Sequence, residues 1–527
     1  MSYKVLITTS GVGSRLGDFT KYTNKSLLRI GNKPAISYIV ESYPIETKYV
    51  ITLGYFGNQV KDFLEIAYPE REFEFVCVEK FEGEGSSLLY SISLARNSLQ
   101  EPFIFHASDT IVTEGIPAPT ENWNAGYKGP GSSSYASFDI LGEKISILYE
   151  KGNLNPDFLH IGLVGINDYK IFWDLVEDTL KEQNFAFHLG DVDVLKKMII
   201  KVNFKVYDTK NWYDIGNVDK LNEAKSALDN GDLHVLDKLG ESIFKVNNHV
   251  IKFFYDETIC ANRVKRNSYL GKIVPEINAS STNFYKYPFV KGELFANVAN
   301  RSNFVQLLDW ANLNLWVNKD TISNEEIASL CLDFYFTKTE KRLQQLFSTR
   351  GIEDKEEVIN GELVPSISSM LKGIDKSSLC TTNPTMFHGD FILDNILKTG
   401  ENEFILIDWR QDFAGVLTFG DKYYDLGKLA HNLVVNHELI DNNYFSIKKE
   451  PNGDIKLNIH RLQTLVECET LFFEWVKENN LEVDKVKILR SIIWLNMSPL
   501  HHHPFDLFLY YFGKYNLYQS LKNAKQI

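Results

Sequence analysis

An apolar segment that runs straight into a glycine-rich turn opens the chain and constrains its fold more than any other feature. Tyr3–Thr9 has the pattern of a buried strand, and the residues SGVGSRLG follow it at once. Further strand patterns occur at Tyr49–Leu53, Glu74–Val78 and Pro102–His106, with a helical pattern at Gly57–Ala67 between the first two. Strands that alternate with helices predict an α/β domain with a mostly parallel sheet.

Length and charge limit the classes of function. The 527 residues predict two to four domains, and the formal net charge of −13 argues against binding nucleic acid. The five cysteines show no CxxC spacing, which fits a reducing compartment. No apolar run reaches the ~20 residues of a membrane helix, and the opening residues lack a signal-peptide layout. We therefore expect a cytoplasmic protein that acts on small molecules, without membrane insertion; its oligomeric state is not indicated.

The glycine-rich turn suits phosphate groups. Backbone N–H groups near Gly11 and Gly13 can approach phosphate oxygens, and the start of a helix adds a positive dipole. Arg15 and Lys25 supply positive charge after the turn. No Lys-Ser or Lys-Thr pair directly follows it, and Leu16 stands where a dinucleotide-binding turn has its third glycine. The sequence therefore predicts a phosphate site that is neither a P-loop nor a typical dinucleotide turn.

Several motifs in residues 1–228 together resemble the sugar-phosphate nucleotidyltransferase family. They are SGVGSRLG, NKSLLRIGNKPAI, GEGSS, HASDT, EKG and WYDIGN, in that order. The resemblance implies a Rossmann-like domain that transfers a nucleotidyl group from a nucleoside triphosphate to a sugar phosphate. It also implies these roles: Gly11 and Gly13 cradle phosphates, Arg15 and Lys25 neutralise the triphosphate, Asp109 and Asp214 hold Mg²⁺, Gly85 lies against base or sugar, and Glu150 and Lys151 bind the acceptor.

Three of these residues also have a purely structural interpretation. Asp109 follows a strand and would then cap its end, and Asp214 would be a turn residue. Lys151 would be a solvated residue at the end of a strand. These alternatives stay open at the level of sequence.

The strand pattern begins again after residue 235. LGESIFKV and HVIKFF flank the pair Asn247-Asn248, which predicts a β-hairpin. We place the domain boundary at about 229–235, with domains at 1–230 and 231–527. Lys252 lies amid apolar residues of the second strand, and such a lysine needs a partner unless it is solvated at an edge.

The strongest local signal of the second half is Thr382–Asp408. It contains FHGDFILDNIL, and it places Asp390 five residues before Asn395, while Asp408 closes the apolar run FILID. An acid, an amide and a second acid in this arrangement suit the transfer of a phosphoryl group from a metal-bound nucleotide.

FHGDFILDNIL, FILIDWRQDF and DKYYDLGKLAH resemble the aminoglycoside phosphotransferase and choline kinase group. The resemblance implies a two-lobed, protein-kinase-like α+β domain, with its N-lobe at about 235–290 and its C-lobe at about 291–527. Asp390 would take the proton of the acceptor hydroxyl, Asn395 and Asp408 would bind Mg²⁺, and Lys252 would hold ATP phosphates. His388 and Asp425 would brace the loop.

Two such domains on one chain suggest consecutive reactions. The second would phosphorylate a small hydroxyl compound with ATP, and the first would couple the phosphate to a second nucleotide (CTP, UTP or GTP), with Mg²⁺ at both sites. A sugar destined for a surface glycan is favoured by GEGSS and WYDIGN. The alternatives are a choline, ethanolamine or polyol kinase joined to a cytidylyltransferase, a non-catalytic nucleotide-binding regulator, and antibiotic inactivation.

Overall fold

Two compact units make up the chain in the computed structural model. The structure describes residues 3–130, 133–153, 155–182, 188–229, 240–318 and 322–526. The first unit comprises residues 1–261 and 277–289, and the second comprises residues 262–276 and 290–527. The boundary between residues 230 and 231 that the sequence predicts lies outside the described residues, so it stays a prediction.

The first unit contains most of the strands of the protein. Its strands are β1 (Lys4–Thr8), β2 (Arg29–Ile30), β3 (Lys33–Pro34), β4 (Lys48–Leu53), β5 (Glu72–Cys77), β6 (Phe103–Ala107), β7 (Thr110–Val112), β8 (Trp123–Tyr127), β9 (Ser137–Leu141), β10 (Lys144–Tyr149), β11 (Phe158–Ile166), β12 (Lys205–Thr209), β13 (Trp212–Asp214), β14 (Glu241–Val246), β15 (His249–Phe254), β16 (Ala279–Ser280) and β17 (Phe284–Pro288). Its helices are α1 (Ala35–Glu41), α2 (Gly57–Ala67), α3 (Leu88–Leu94), α4 (Tyr169–Glu182), α5 (Asp191–Lys201) and α6 (Val218–Leu228), followed by the start of α7 (Glu257–Leu270).

The large sheet of this unit has the strand order β5-β4-β1-β6-β11-β8-β12-β10-β9. β5, β4, β1 and β6 are mutually parallel, as the alternation of strands and helices predicts. Beyond β6 the sheet is mixed, because β11 runs antiparallel to both β6 and β8, and β9 pairs antiparallel with β10. The prediction of a mostly parallel sheet is therefore wrong for this half. Among the described residues between β7 and β11, no helix is present to carry a parallel crossover, and β9, β10 and β11 pair antiparallel with their neighbours in this region.

A second sheet, ordered β14-β15-β17-β16, belongs to the same unit and shares its core. The predicted hairpin is confirmed, with Asn247 and Asn248 at φ values of 47° and 60° in its turn. Phe63 on α2 is fully buried, and its ring lies 5.5 Å from that of Phe244 and 5.9 Å from that of Phe284. One helix therefore packs against both sheets.

The second unit is mainly helical. Its helices are the rest of α7, then α8 (Phe295–Val298), α9 (Arg301–Asn314), α10 (Asn324–Leu332), α11 (Lys338–Arg350), α12 (Ile367–Gly373), α13 (Lys422–Asn432), α14 (His437–Asp441), α15 (Gln463–Glu478), α16 (Val483–Met497) and α17 (Phe505–Asn523). Its short strands are β18 (Glu293–Leu294), β19 (Glu357–Ile359), β20 (Glu362–Val364), β21 (Ile396–Lys398), β22 (Phe404–Leu406), β23 (Phe445–Lys449) and β24 (Ile455–Ile459). Residues 333–337 form a π-helical turn between α10 and α11.

A buried arginine connects α7 to the loops of this unit. Arg266 is 1% exposed and donates to the carbonyl oxygens of Phe387 at 2.6 Å and Leu417 at 3.0 Å, and to that of Arg410. Burial lowers its pKa to about 10, which still leaves it charged at neutral pH. The guanidinium thus fixes the two loop segments that surround Asp408. No helix among the described residues is long and apolar enough to cross a membrane.

We expect Phe63→Ala to destabilise both sheets of the first unit together. Removal of a fully buried aromatic ring costs about 3–5 kcal/mol in free energy of unfolding. Hydrogen exchange should show protection falling in β1 and β4 and equally in β14–β17. Ile200→Ala, at a side chain that is 85% exposed, is the control and should change little. Loss confined to one sheet would contradict a shared core.

Candidate active sites

One buried amide holds the segment that follows the glycine-rich turn. Asn24 is inaccessible to solvent, and its Nδ2 donates to the carbonyl oxygens of Thr9 at 2.8 Å and Tyr55 at 2.6 Å. Its Oδ1 accepts from the backbone N–H of Ser26 at 2.9 Å and from the Ser26 hydroxyl at 2.7 Å. These bonds fix Lys25, which lies between Asn24 and Ser26, beside the end of β1.

Lys25 and the two predicted metal ligands of this unit lie together. Lys25 Nζ is 3.0 Å from Asp109 Oδ2. Asp109 lies between β6 and β7, and β13 pairs with β7 so that Asp214 is opposite Thr110. The backbone N–H of Ile215 donates to the carbonyl oxygen of Asp109 at 3.0 Å. Residues distant in sequence are thus gathered at the end of β6, and their roles in binding a metal or phosphate stay predictions.

The two carboxylates of this cluster have different environments. Burial raises the pKa of Asp109, but the charges of Lys25 and Arg15 outweigh burial and bring that pKa below its ordinary value. The pKa of Asp214 is raised by burial and by the charge of Asp109, although the hydroxyl of Tyr135 donates to it at 2.6 Å. A divalent cation between the carboxylates would relieve their repulsion, and carboxylate oxygens are ligands that Mg²⁺ prefers. This pair therefore fits Mg²⁺.

The predicted glycines all lie in loops of the first unit. Gly13 and Gly85 have φ values of 71° and 83°, in the left-handed region that other residues rarely adopt. A Cβ on Gly13 would come within 3.2 Å of Lys25 Cβ, so glycine lets the turn pack closely there. A Cβ on Gly11 would meet no atom within 4 Å, so this backbone position is open to a ligand.

A cavity of about 650 Å³ lies beside this turn, at the C-terminal ends of β4 and β5. Gly54 in its wall packs against the turn, since a Cβ there would come within 2.5 Å of the carbonyl oxygen of Ser10. Glu79, Tyr255 and Glu257 also line the cavity. Ligands of α/β proteins bind outside the carboxyl ends of parallel strands, and this is such a place.

Glu150 and Lys151 are not joined to this cluster by any contact among the described residues. Glu150 forms an exposed ion pair with Lys196, and Lys151 is exposed in the turn after β10. β10 lies beyond β12 in the sheet, away from the β1–β6 pair. Their roles on the acceptor stay predictions.

In the second unit, a buried carboxylate holds the HGD loop (residues 388–395). Asp425 on α13 accepts the backbone N–H groups of His388 and Gly389, both at 2.7 Å, and the indole N–H of Trp316 at 3.1 Å. Burial raises the pKa of Asp425 to about 6, and these hydrogen bonds oppose that rise. The interpretation of Asp425 as a support of the loop is confirmed.

The loop presents Asp390 and Asn395 side by side. Asn395 Nδ2 donates to the backbone carbonyl of Asp390 at 3.0 Å and to Asp390 Oδ2 at 3.1 Å. His388 braces the loop, because its Nε2 lies 3.0 Å from the carbonyl oxygen of Ile407 and its Nδ1 lies 3.3 Å from the backbone nitrogen of Asp390. Burial lowers the pKa of His388 to about 4, so the ring is neutral near pH 7.

Both predicted acids of this unit already carry a cation. Lys428 Nζ on α13 is 2.7 Å from Asp390 Oδ1. Burial lowers the pKa of Lys428, but the carboxylate of Asp390 outweighs burial, and the pKa lies above its ordinary value. Arg263 on α7 forms a close ion pair with Asp408, whose backbone is left-handed at φ 59°. Each of these two acids therefore lies against a cation of its own unit.

The donor set of this unit also fits Mg²⁺. The backbone N–H of Ile407 donates to the carbonyl oxygen of Asn395 at 2.9 Å, which places Asp408 near the start of β21. An amide oxygen and a carboxylate are suitable ligands, and Arg263 would share Asp408 with the ion. Among the described residues no group of three or more His, Cys, Asp or Glu side chains could hold a metal. Substrate phosphates and water would therefore complete the coordination in either unit.

Lys252 lies in the first unit, in β15, and is 3% exposed. It is paired in register with Ile243 on one side and Tyr285 on the other. Its predicted role on ATP phosphates stays a prediction.

Sequence reasoning missed four residues that complete these clusters. Asn24 and Tyr135 carry no sequence signal that marks them as members of a site. Lys428 follows Asp425 by three residues on one helix, a spacing that places both on the same face and so offered a clue. Arg263 lies 145 residues before Asp408, and only the fold brings the two together as an ion pair.

Solved structures similar to this chain cover its first part. They include the CTP:phosphocholine cytidylyltransferase from Streptococcus pneumoniae, with 16% identity over 43% of this chain and all of that chain, at a TM-score of 0.37. Others are the inositol-1-phosphate CTP transferase from T. maritima (18%, 44% and 97%, TM-score 0.35) and the UDP-glucose pyrophosphorylase from Acinetobacter baumanii (16%, 43% and 92%, TM-score 0.36). No family model and no curated protein matches the chain. At such low similarity, activity has to be argued from the side chains.

We expect Asp425→Asn to loosen the HGD loop. The amide replaces a charged acceptor of two backbone N–H groups, and such bonds contribute about 1.5–3 kcal/mol each. The second unit should lose about 2–4 kcal/mol of stability, and the amides of His388 and Gly389 should exchange faster. Asp484→Asn, at an exposed site, is the control. Unchanged exchange at both amides would contradict the support that we assign to Asp425.

Proposed function

We propose that the chain is a bifunctional enzyme that phosphorylates a small hydroxyl compound, with a sugar as first candidate, and then joins the phosphate to a nucleotide. The observation that carries this proposal is that each unit holds its own cluster of acids and cations. Lys25, Asp109 and Asp214 meet in the first unit, and Asp390, Asn395 and Lys428 meet in the second. Two separate clusters of this kind support two reactions.

In the second unit, Asp390 receives the proton of the acceptor hydroxyl. The acceptor oxygen bonds to the γ-phosphorus of ATP, the bond from that phosphorus to the β–γ bridging oxygen breaks, and ADP leaves with the electron pair. Lys428 balances the charge of Asp390, and in this proposal its ammonium also meets the transferred phosphoryl group. Catalysis then rests on alignment and charge.

In the first unit, an oxygen of the phosphate ester attacks the α-phosphorus of a nucleoside triphosphate. The bond to the α–β bridging oxygen breaks, and pyrophosphate leaves. Lys25 and Arg15 neutralise the triphosphate, while the backbone at Gly11 and Gly13 approaches its oxygens. Mg²⁺, when bound at Asp109 and Asp214, or at Asn395 and Asp408 in the second unit, supplies charge neutralisation for the phosphates.

The order of the reactions follows from their chemistry. The second unit makes a phosphate ester, and the first unit consumes one. The product is a nucleoside-diphosphate derivative, which we assign to the supply of activated units for a surface glycan.

Asp390→Asn should abolish ADP formation and spare nucleotidyl transfer. Loss of the proton acceptor costs ~10²–10⁴-fold in rate. The measurement follows ADP and pyrophosphate together, with ATP, each of CTP, UTP and GTP, and a panel of sugars and amino alcohols. Supplied phosphate esters should still give pyrophosphate with this variant, and Asp441→Asn, an exposed change, should match the wild type. Loss of both activities would contradict two separate sites.

Asp109→Asn should have the reverse effect. Pyrophosphate release from a supplied ester should fall strongly because the cluster loses a metal ligand, while ADP formation should continue. Asp219→Asn, at an exposed position of α6, is the matched control. Pyrophosphate release at the wild-type rate would show that Asp109 does not hold the metal.

A further inference from the structure

Four cations gather next to Asp390 in the second unit, and we name them the basic cluster: Lys338 and Arg342 on α11, Arg410 after Asp408, and Lys428 on α13. They come from three separate segments, so the fold and not the sequence brings them together. Lys428 is bound to Asp390 at 2.7 Å, which joins the basic cluster to the residue that receives the acceptor's proton.

The basic cluster lies on an aromatic base. Lys338 Nζ is 4.3 Å from the ring centre of Phe334 and 6.0 Å from that of Tyr424. The guanidinium of Arg410 is 4.9 Å from the ring of Phe334. The rings of Phe334 and Tyr424 are in turn 4.7 Å apart, edge to face. Two cations therefore share one aromatic ring.

Within the described residues a carboxylate pairs with only one member of the basic cluster, Lys428, which is bound to Asp390. None of Lys338, Arg342 and Arg410 forms an ion pair there, and Arg410 Nε is buried with no hydrogen-bond partner. Arg342 is held by the side chain of Asn496, which is neutral. Asp412 lies near enough to act on Lys338, but only as one negative charge among these cations.

The electrostatic cost of this arrangement is visible at Lys338. Burial, together with the charges of Arg410, Arg342 and Lys428, lowers the pKa of Lys338 to about 6. A lysine in such surroundings regains its proton when an anion binds beside it. Without an anion Lys338 is therefore mostly neutral near pH 7, and a bound anion would let the basic cluster carry its full positive charge.

We propose that the acceptor phosphorylated by the second unit is itself an anion, a hydroxyl compound that carries a carboxylate or phosphate group bound by Lys338, Arg342 and Arg410. This inference rests on the proposed function and names the substrate class of that site. With the anionic group on the basic cluster, the hydroxyl of the acceptor lies toward Asp390.

The same geometry disfavours choline and other cationic acceptors. A quaternary amine is recognised by open aromatic faces with acidic neighbours. Here Lys338 and Arg410 already cover the face of Phe334, and the charged guanidinium of Arg410 would repel a cationic acceptor. A neutral sugar would leave the cations uncompensated. An acidic sugar or a small hydroxy acid satisfies them.

ATP phosphates are the other possible source of the anion, and kinetics separate the two. The assay measures ADP formation with matched acceptors: glucuronate against glucose, glycerate against glycerol, glycerol 3-phosphate, and choline. We expect the anionic member of at least one pair to have a kcat/KM at least tenfold above its neutral partner. Lys338→Met and Arg342→Met should each raise the KM for that acceptor tenfold or more and leave the KM for ATP within about twofold.

Lys341→Met is the matched control, because Lys341 lies exposed on the same helix and carries the same charge. It should leave both KM values unchanged. The proposal is overturned if neutral acceptors or choline are preferred, if the KM for ATP rises instead, or if Lys341→Met has an equal effect.

Binding without turnover distinguishes failure of this inference from failure of the proposed function. Calorimetric titration of glucuronate, glycerate and glycerol 3-phosphate into the Asp390→Asn variant should show binding that Lys338→Met weakens tenfold. If these anions bind but the wild type forms no ADP, the proposed kinase reaction is contradicted, and the basic cluster is an anion-binding site only. ADP formation from neutral acceptors alone would support the kinase and overturn the anionic acceptor.

Discussion

The buried carboxylate of Asp425 is the contact on which the second unit's site depends. A fully desolvated acid is costly, and here three N–H donors compensate it: two from the HGD loop and one from Trp316. The two hydrogen bonds to Asp425 therefore hold the backbone of His388 and Gly389 in one position. Asp390 and Asn395 follow within the same loop, so their placement derives from this anchor. The positively charged Arg266 holds the neighbouring backbone in the complementary way, by donating to the carbonyl oxygen of Phe387.

Each cluster shows the same electrostatic arrangement. Lys25 pairs with Asp109, Lys428 with Asp390 and Arg263 with Asp408, so each of these three acids has its own cation. A neighbouring cation favours the ionised form of a carboxylate, and the pKa of Asp109 accordingly lies below its ordinary value although burial raises it. Three members of the basic cluster are the exception, because Lys338, Arg342 and Arg410 form no ion pair among the described residues.

Local sequence patterns were sufficient to predict many of the elements of this structure. The strand before Ser10, the helix at Gly57–Ala67, the Asn247-Asn248 hairpin and the HGD loop all follow from short-range spacing, and the structure has them. The antiparallel half of the large sheet could not be predicted from local pattern, because the direction of a strand there depends on whether its connection contains a helix. Lys428, Arg263 and the basic cluster were also hidden, since they lie near the acids only after α7, α11 and α13 have packed. The sequence resemblance does not explain the position of Glu150 beside Lys196.

The central claim is that one phosphate passes through both sites. ATP labelled with ³²P at its γ-phosphate, incubated with an anionic acceptor, Mg²⁺ and the second nucleoside triphosphate, tests it most directly. The account predicts label in the nucleoside-diphosphate product, at the phosphate that joins the acceptor to the nucleotidyl group. Label found only in a free phosphate ester or in inorganic phosphate, with no labelled nucleotide product, would contradict it.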